Sequence, residues 1–136
     1  RTKNEDQWIG HCLNMIYQQD FKDFEVILVD NASDDHTIGI ARRYPVDKII
    51  NIDEFLPGLA INNGIRVSSG DFIVCISAHC VPLNITWLSD LIKNFDDDSI
   101  AGVYGRQLPV NYTNAADKRD LLIVFGHNPT LEKGLT

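Results

Sequence analysis

Apolar positions along the chain recur with two different periods. From Asp6 to Gln19 they fall at Trp8, Ile9, Cys12, Leu13, Ile16 and Tyr17, the spacing of one helix face, so the stretch predicts an amphipathic helix. Residues 24–30, FEVILVD, form a short apolar run closed by an acid, which suits a strand buried on both faces. Ser33 then offers an N-cap for a helix written DDHTIGIARRY, with acids in its first turn and Arg42 and Arg43 in its last. A second strand is expected over 46–52, and a helix from Pro57-Gly58 to about Ser68, where Gly70 breaks it. Residues 72–77 read as a third buried strand. Asn84 can cap a helix with apolar positions Trp87, Leu88, Leu91, Ile92 and Phe95. IAGVYGRQLPV is strand-like, and NAADKRDLLIVFG predicts a last helix.

Strands and helices alternate in units of about twenty to thirty residues, the mark of a parallel sheet flanked by helices. The expected fold is α/β, a three-layer α/β/α sandwich with a mainly parallel sheet. In such sheets ligands sit beyond the carboxyl ends of the strands. That rule singles out Asp30-Asn31, Ser77-Ala78-His79 and the loop after Ile52.

Composition narrows the classes. The 136 residues suit one domain, and 44% hydrophobic content is enough for an ordinary core. A formal charge of −7 argues against a nucleic-acid backbone partner. Cys12, Cys75 and Cys80 are odd in number and read as reduced thiols of a cytoplasmic protein rather than a disulfide framework. No apolar stretch approaches the roughly 18–20 residues that span a bilayer. The chain opens at RTKNED without a methionine and closes at EKGLT, so a piece of a longer protein is expected at both ends.

At the first strand end, VDNASDDHT reads as a capped turn: Ser33 for the N-cap, Asp34 and Asp35 for the helix dipole. Asp30 closes the apolar run, and its carboxylate is expected to project into the crevice, where it can accept from a base N–H or ribose hydroxyls.

Taken in order, the segments resemble the family 2 glycosyltransferases, nucleotide-sugar enzymes of the GT-A fold. RTKNED resembles their P-x-Y-N-E opening. VDNASDDHT resembles V-D-D/N-G-S-x-D-x-T, with Ala32 and His36 in two glycine places. PGLAINNGIRVSSGDFIVCISAHCVP resembles the stretch that leads into their D-x-D, with Asn62, Gly64, Ile65, Gly70 and Asp71 at matching intervals and Pro82 closing it. The likeness runs from Arg1 to about Gly126.

The resemblance implies a donor site. Thr2 and Glu5 would line the nucleotide pocket from the loop after a first strand that lies outside this chain. Asp30 and Asn31 would meet base or ribose, and Asn62 would shape the donor side or simply pack its helix. Ser77-Ala78-His79 occupies the D-x-D place, whose last acid binds a divalent ion bridging the donor diphosphate. Such an ion offsets charge developing on the leaving group. With Ser77 and His79 in place of acids, His79 would ligate Mn²⁺ or Mg²⁺, contact the diphosphate directly, or do neither. Cys80 beside it, with no second Cys/His pair elsewhere, does not make a zinc site. The donor is expected to be a UDP- or dTDP-linked sugar, and the acceptor a saccharide or lipid-linked molecule of bacterial surface-polysaccharide synthesis. The setting is cytoplasmic, including the inner membrane face.

An inverting transfer also needs a general base. Asp117 and Asp120 read as polar helix positions, which places the base beyond Thr136 and leaves this chain inactive alone. Two other classes compete. A nucleotidyltransferase of sugar phosphates would carry a Gly-rich basic opening loop, and RTKNED has no glycine. A receiver-like signalling domain would carry a lysine near the last strand, and AGVYGRQLPV has none.

Overall fold

The structure, a computed structural model, describes residues 1–53, 56–110 and 113–125. By internal contacts the chain divides into two compact units, Arg1–Ile92 and Lys93–Thr136.

The first unit contains α1 (Ile9–Tyr17), β1 (Ile27–Asp30), α2 (Thr37–Ala41), β2 (Lys48–Asn51), α3 (Pro57–Val67) and α4 (Trp87–Ile92). β1 and β2 run parallel, Ile27 opposite Lys48 and Asp30 opposite Asn51. Successive β1 side chains point to opposite faces. Leu28 packs with Ile9 and Leu13 of α1, Ala41 of α2 and Ala78, while Val29 packs with Ile52 and with Ala60 of α3. Burying each large aliphatic chain contributes about 1.5–3 kcal/mol, so this alternation sets a helical layer on each face of β1. α3 lies close: a Cβ on Gly64 would sit 3.3 Å from Val29 Cγ2.

Residues 1 and 2 behave as the end of one further strand. Thr2 forms a parallel bridge with Asp30, Thr2 N donating to Val29 O at 2.9 Å and Asn31 N to Thr2 O at 3.0 Å. On the other side the Arg1 amino group donates to Ile76 O at 3.1 Å, and Ala78 N to Arg1 O at 3.2 Å. This stub therefore joins the carboxyl end of β1 to residues 76–78.

Several expected elements come out differently. Residues 72–77 form no ladder strand, and Phe72, Ile73 and Val74 are 51%, 44% and 40% exposed. A strand is defined by its pairing, and here a cleft separates this segment from β1 everywhere upstream of Arg1. The strand-like 100–110 likewise carries no strand, with Tyr104, Leu108 and Val110 exposed.

α2 begins at Thr37 rather than after Ser33, because the preceding residues hydrogen-bond in a turn of their own. Asp35 Oδ1 accepts from Thr37 N at 2.8 Å, doing locally what Ser33 was expected to do. Asn84 Oδ1 accepts from Thr86 N at 3.2 Å, ahead of α4, and it is Thr86 that stands immediately before the helix, its O accepting from Asp90 N at 2.7 Å. That helix closes at Ile92, and the second unit begins with a 3-10 turn over Lys93–Asp96. The second unit also holds α5 (Ala115–Phe125), whose Ile123 and Val124 are exposed.

Candidate functional site

Three loops meet at the carboxyl end of β1. Residues 2–6 are laced onto the turn that follows β1. Asn4 N donates to Ser33 Oγ at 2.9 Å, and the Asn4 side chain exchanges bonds with Asp34, Nδ2 donating to Oδ1 and Oδ1 accepting from Asp34 N. Glu5 N donates to Thr37 Oγ1 at 2.7 Å, and Asp6 N to Asp35 Oδ2 at 3.1 Å. Burial works to raise the Asp35 carboxyl, but the bonds from Thr37 and Asp6 outweigh it and hold the group below its ordinary value.

Asp30 is buried, and its carboxylate is already committed. Ser33 Oγ donates to Oδ1 at 2.5 Å and Ser33 N to Oδ2 at 2.9 Å. The turn it holds puts Ala32 at φ 48°, the left-handed region that favours glycine. Ala32 N donates to Asn51 Oδ1 at 3.2 Å, and Lys3 Nζ donates to Ala32 O at 2.6 Å. Asn31 stands half-buried at the tip, its side-chain amide without a hydrogen-bond partner among the described residues.

The third loop brings His79. Its Nδ1 lies 2.7 Å from Glu5 Oε1. A carboxylate can only accept, so the pairing puts the proton on Nδ1 and leaves Nε2 to face outward. A cavity of about 140 Å³ opens here, lined by Arg1, Thr2, Lys3, Glu5, Ser77 and His79. The Thr2 hydroxyl is buried with no hydrogen-bond partner. An unsatisfied buried hydroxyl costs about 1–3 kcal/mol, and a bound polar ligand can supply the missing partner.

Of the residues singled out in the sequence, Thr2, Glu5, Ser77 and His79 thus gather around one cavity. Ala78 is buried behind them, its N–H on Arg1 O. Asp30 and Asn31 stand at the neighbouring turn, and Asn62 lies exposed on α3, lining neither this cavity nor the larger cleft. Arg1 and Lys3 went unnoticed in the sequence. The basic residues of RTK were the available signal, and they carry positive charge to the cavity rim.

The cysteines take no part. Burial pushes the Cys12 thiol up to about 11, and burial also raises Cys80. No group of three or more His, Cys, Asp or Glu able to hold a metal occurs among the described residues. One imidazole backed by one carboxylate is a partial donor set, fit to hold a divalent ion together with phosphate oxygens and water.

Comparison with known proteins places the chain in a family. A sequence profile for glycosyl transferase family 2 matches residues 1–135. The chain is 26% identical, over 76% of its length, to a dolichyl N-acetyl-alpha-D-glucosaminyl phosphate 3-beta-D-2,3-diacetamido-2,3-dideoxy-beta-D-glucuronosyltransferase of Methanococcus voltae, of which it covers 36%. It is 26% identical, over 95% of its length, to the poly(ribitol-phosphate) beta-N-acetylglucosaminyltransferase TarS of Staphylococcus aureus, of which it covers 26%. It therefore spans only about a quarter to a third of these relatives.

Solved structures resemble it too. TarS 1-349 of S. aureus in complex with UDP superposes with a TM-score of 0.63 at 26% identity, over 80% of this chain and 36% of that one. The mannosyltransferase PcManGT of Pyrobaculum calidifontis in complex with GDP-Man and Mn²⁺ gives 0.68 at 25% identity, over 89% and 36%. The fold is α/β with a parallel sheet, of the GT-A type.

Proposed function

The chain belongs to glycosyl transferase family 2, and from that premise we propose that it is the donor-binding part of a sugar transferase, taking a nucleoside-diphosphate sugar at the carboxyl end of β1. The observation that carries this is the 140 Å³ cavity lined by Arg1, Thr2, Lys3, Glu5, Ser77 and His79, with the Glu5–His79 pair in its wall. Positive charge and an outward imidazole suit a diphosphate. Asn31, with both a donor and an acceptor to spare, reads the base or ribose, and Asp30 acts by holding the turn that presents it. UDP in one structural neighbour and GDP-mannose in another support a nucleotide donor without choosing its base.

His79 is the residue for the diphosphate. With its proton on Nδ1, Nε2 has a lone pair for a divalent ion such as Mn²⁺ or Mg²⁺, and Glu5 fixes the ring as outer-shell carboxylates do. Such an ion, when bound, neutralises charge on the diphosphate. A doubly protonated ring would instead donate to a phosphate oxygen directly, a second reading that the same Glu5 contact favours.

The sugar transfer itself, with inversion at the anomeric carbon, requires a base from outside this chain. Asp117 accepts from Asn114 and Asp120 pairs with Arg119 on α5, as polar helix positions do, and Glu132 lies outside the described residues. No helix among the described residues is long and apolar enough to cross a membrane.

Calorimetric titration with UDP and with GDP, each in Mn²⁺ and in EDTA, tests the reading. Binding of either nucleotide is expected, with Thr2 and His79 resonances shifting in NMR spectra. Binding lost in EDTA supports the ion, and binding kept in EDTA supports direct contact. If neither nucleotide binds in any condition, the donor-site reading fails.

A further inference from the structure

Asn51, the last residue of β2, stands opposite Asp30, the last of β1, in the parallel ladder. Opposed residues of a pair carry their side chains to the same face, and both of these side chains serve the turn after β1. Asp30 accepts from Ser33 N and Ser33 Oγ. Asn51 Oδ1 accepts from Ala32 N at 3.2 Å.

Three successive N–H groups of the turn are thereby held by three different residues. Asn31 N donates to Thr2 O, Ala32 N to Asn51 Oδ1, and Ser33 N to Asp30 Oδ2. Lys3 Nζ donates to Ala32 O, so the peptide between residues 32 and 33 is held at both its C=O and its N–H. The peptide between residues 31 and 32 is held through its N–H by Asn51. That restraint matters because Ala32 sits at φ 48°, where a Cβ is strained. Turning the 31–32 peptide over would return Ala32 to negative φ and relieve the strain. The same rotation changes ψ of Asn31 and so displaces its side chain. Strain at Ala32 pulls the turn one way, and the bond to Asn51 opposes it.

We infer that Asn51 is a positioning residue for nucleotide recognition. Its amide oxygen selects the orientation of the 31–32 peptide, and thereby sets where the Asn31 side chain meets base or ribose. The role rests on the donor-site reading, since it acts through Asn31. Asn51 and Ala32 are both exposed, and a neutral hydrogen bond in water adds little net stability. The effect of losing it therefore falls on the geometry of the turn more than on folding. The acceptor is the working atom, so aspartate can replace Asn51 and alanine cannot.

Calorimetric titration with UDP in Mg²⁺, alongside NMR spectra, tests this on the wild-type chain, Asn51→Ala and Asn51→Asp. Asn51→Ala is expected to bind UDP about tenfold more weakly, while melting within about 2 °C of wild type. At saturation UDP should no longer shift the Asn31 side-chain amide, yet should still shift His79. Asn51→Asp should recover the Asn31 shift and most of the affinity. An Asn51→Ala chain with wild-type affinity and an intact Asn31 shift overturns the inference. Equal loss of the Asn31 and His79 shifts with a large fall in melting temperature also overturns it, and makes Asn51 a folding contact. So does an Asn51→Asp chain as weak as Asn51→Ala. A wild-type chain that binds neither UDP nor GDP sinks the donor-site reading and this inference with it, whereas wild-type binding with an indifferent Asn51→Ala sinks this inference alone.

Discussion

Two segments of the first unit have similar apolar sequences and opposite fates. Residues 27–30 are a strand, buried on both faces, whose following turn is tied to residues 2–6 by side-chain and backbone bonds. Residues 72–77 are equally apolar, yet Phe72, Ile73 and Val74 lie exposed and unladdered. The second segment is pinned at its ends. Glu25 accepts from Ser69 N and Ser69 Oγ near its start, and Arg1 bonds Ile76 O and accepts from Ala78 N near its finish. Apolar composition qualifies a stretch for a sheet, but the neighbouring backbone decides whether it joins one.

The contrast can be broken most severely at Asp30. Asp30→Ala leaves Ser33 N and Oγ without their buried acceptor, and the expected loss is about 2–3 kcal/mol in urea denaturation. Nucleotide binding should fall with it, since Asn31 and residues 2–6 rest on that turn. Full stability in Asp30→Ala would show that the laced region does not depend on this carboxylate.

His79→Ala acts at the other segment and should separate function from folding. Losing one charge-assisted contact predicts about tenfold weaker UDP binding or more, with the melting temperature little changed because His79 is exposed. A drop in melting temperature as large as that of Asp30→Ala would make the Glu5–His79 pair a folding contact instead.

A gain is expected at Ala32. Its φ of 48° is strained for a residue with a Cβ, and Ala32→Gly should stabilise the chain by up to about 1 kcal/mol. A loss on that change would mean the turn relaxes out of the left-handed region in solution.

The smallest effect concerns the pin at Glu25. Bonds from Ser69 N and Oγ, then the Lys48 contact, bring its carboxyl from 4.5 down to about 2. A lowered folded-state value means the stabilisation is present above pH 4.5 and is lost as pH falls toward 2. Melting temperature measured across that window should decline less steeply in Glu25→Gln. Identical slopes would remove Glu25 from the account of how the open segment is held.

Much of this was readable before any coordinates. Helical spacing marked α1 and α3, the run ending in Asp30 marked β1, the strand-end rule pointed to Ser77 and His79, and the family resemblance added Thr2 and Glu5. Other features were not readable. Asp30 was expected to project into the crevice, and only geometry shows both its oxygens accepting from Ser33. Ser33 matched an N-cap pattern, yet Asp35 takes that work because α2 starts later. Arg1 and Lys3 became visible only where the chain's opening folds against the 77–79 loop.

The sequence by itself determined where the helices and the two paired strands lie, and its resemblance to a known family implied the GT-A type of fold. The first of these follows from periodicity and side-chain chemistry, which act within a few residues. Tertiary structure alone decided that residues 72–77 form no ladder strand, that His79 lies against Glu5, and that both Asp30 oxygens accept from Ser33. Each of these is a contact between positions far apart in the chain or a competition for the same donor, and neither is written in any short stretch of sequence.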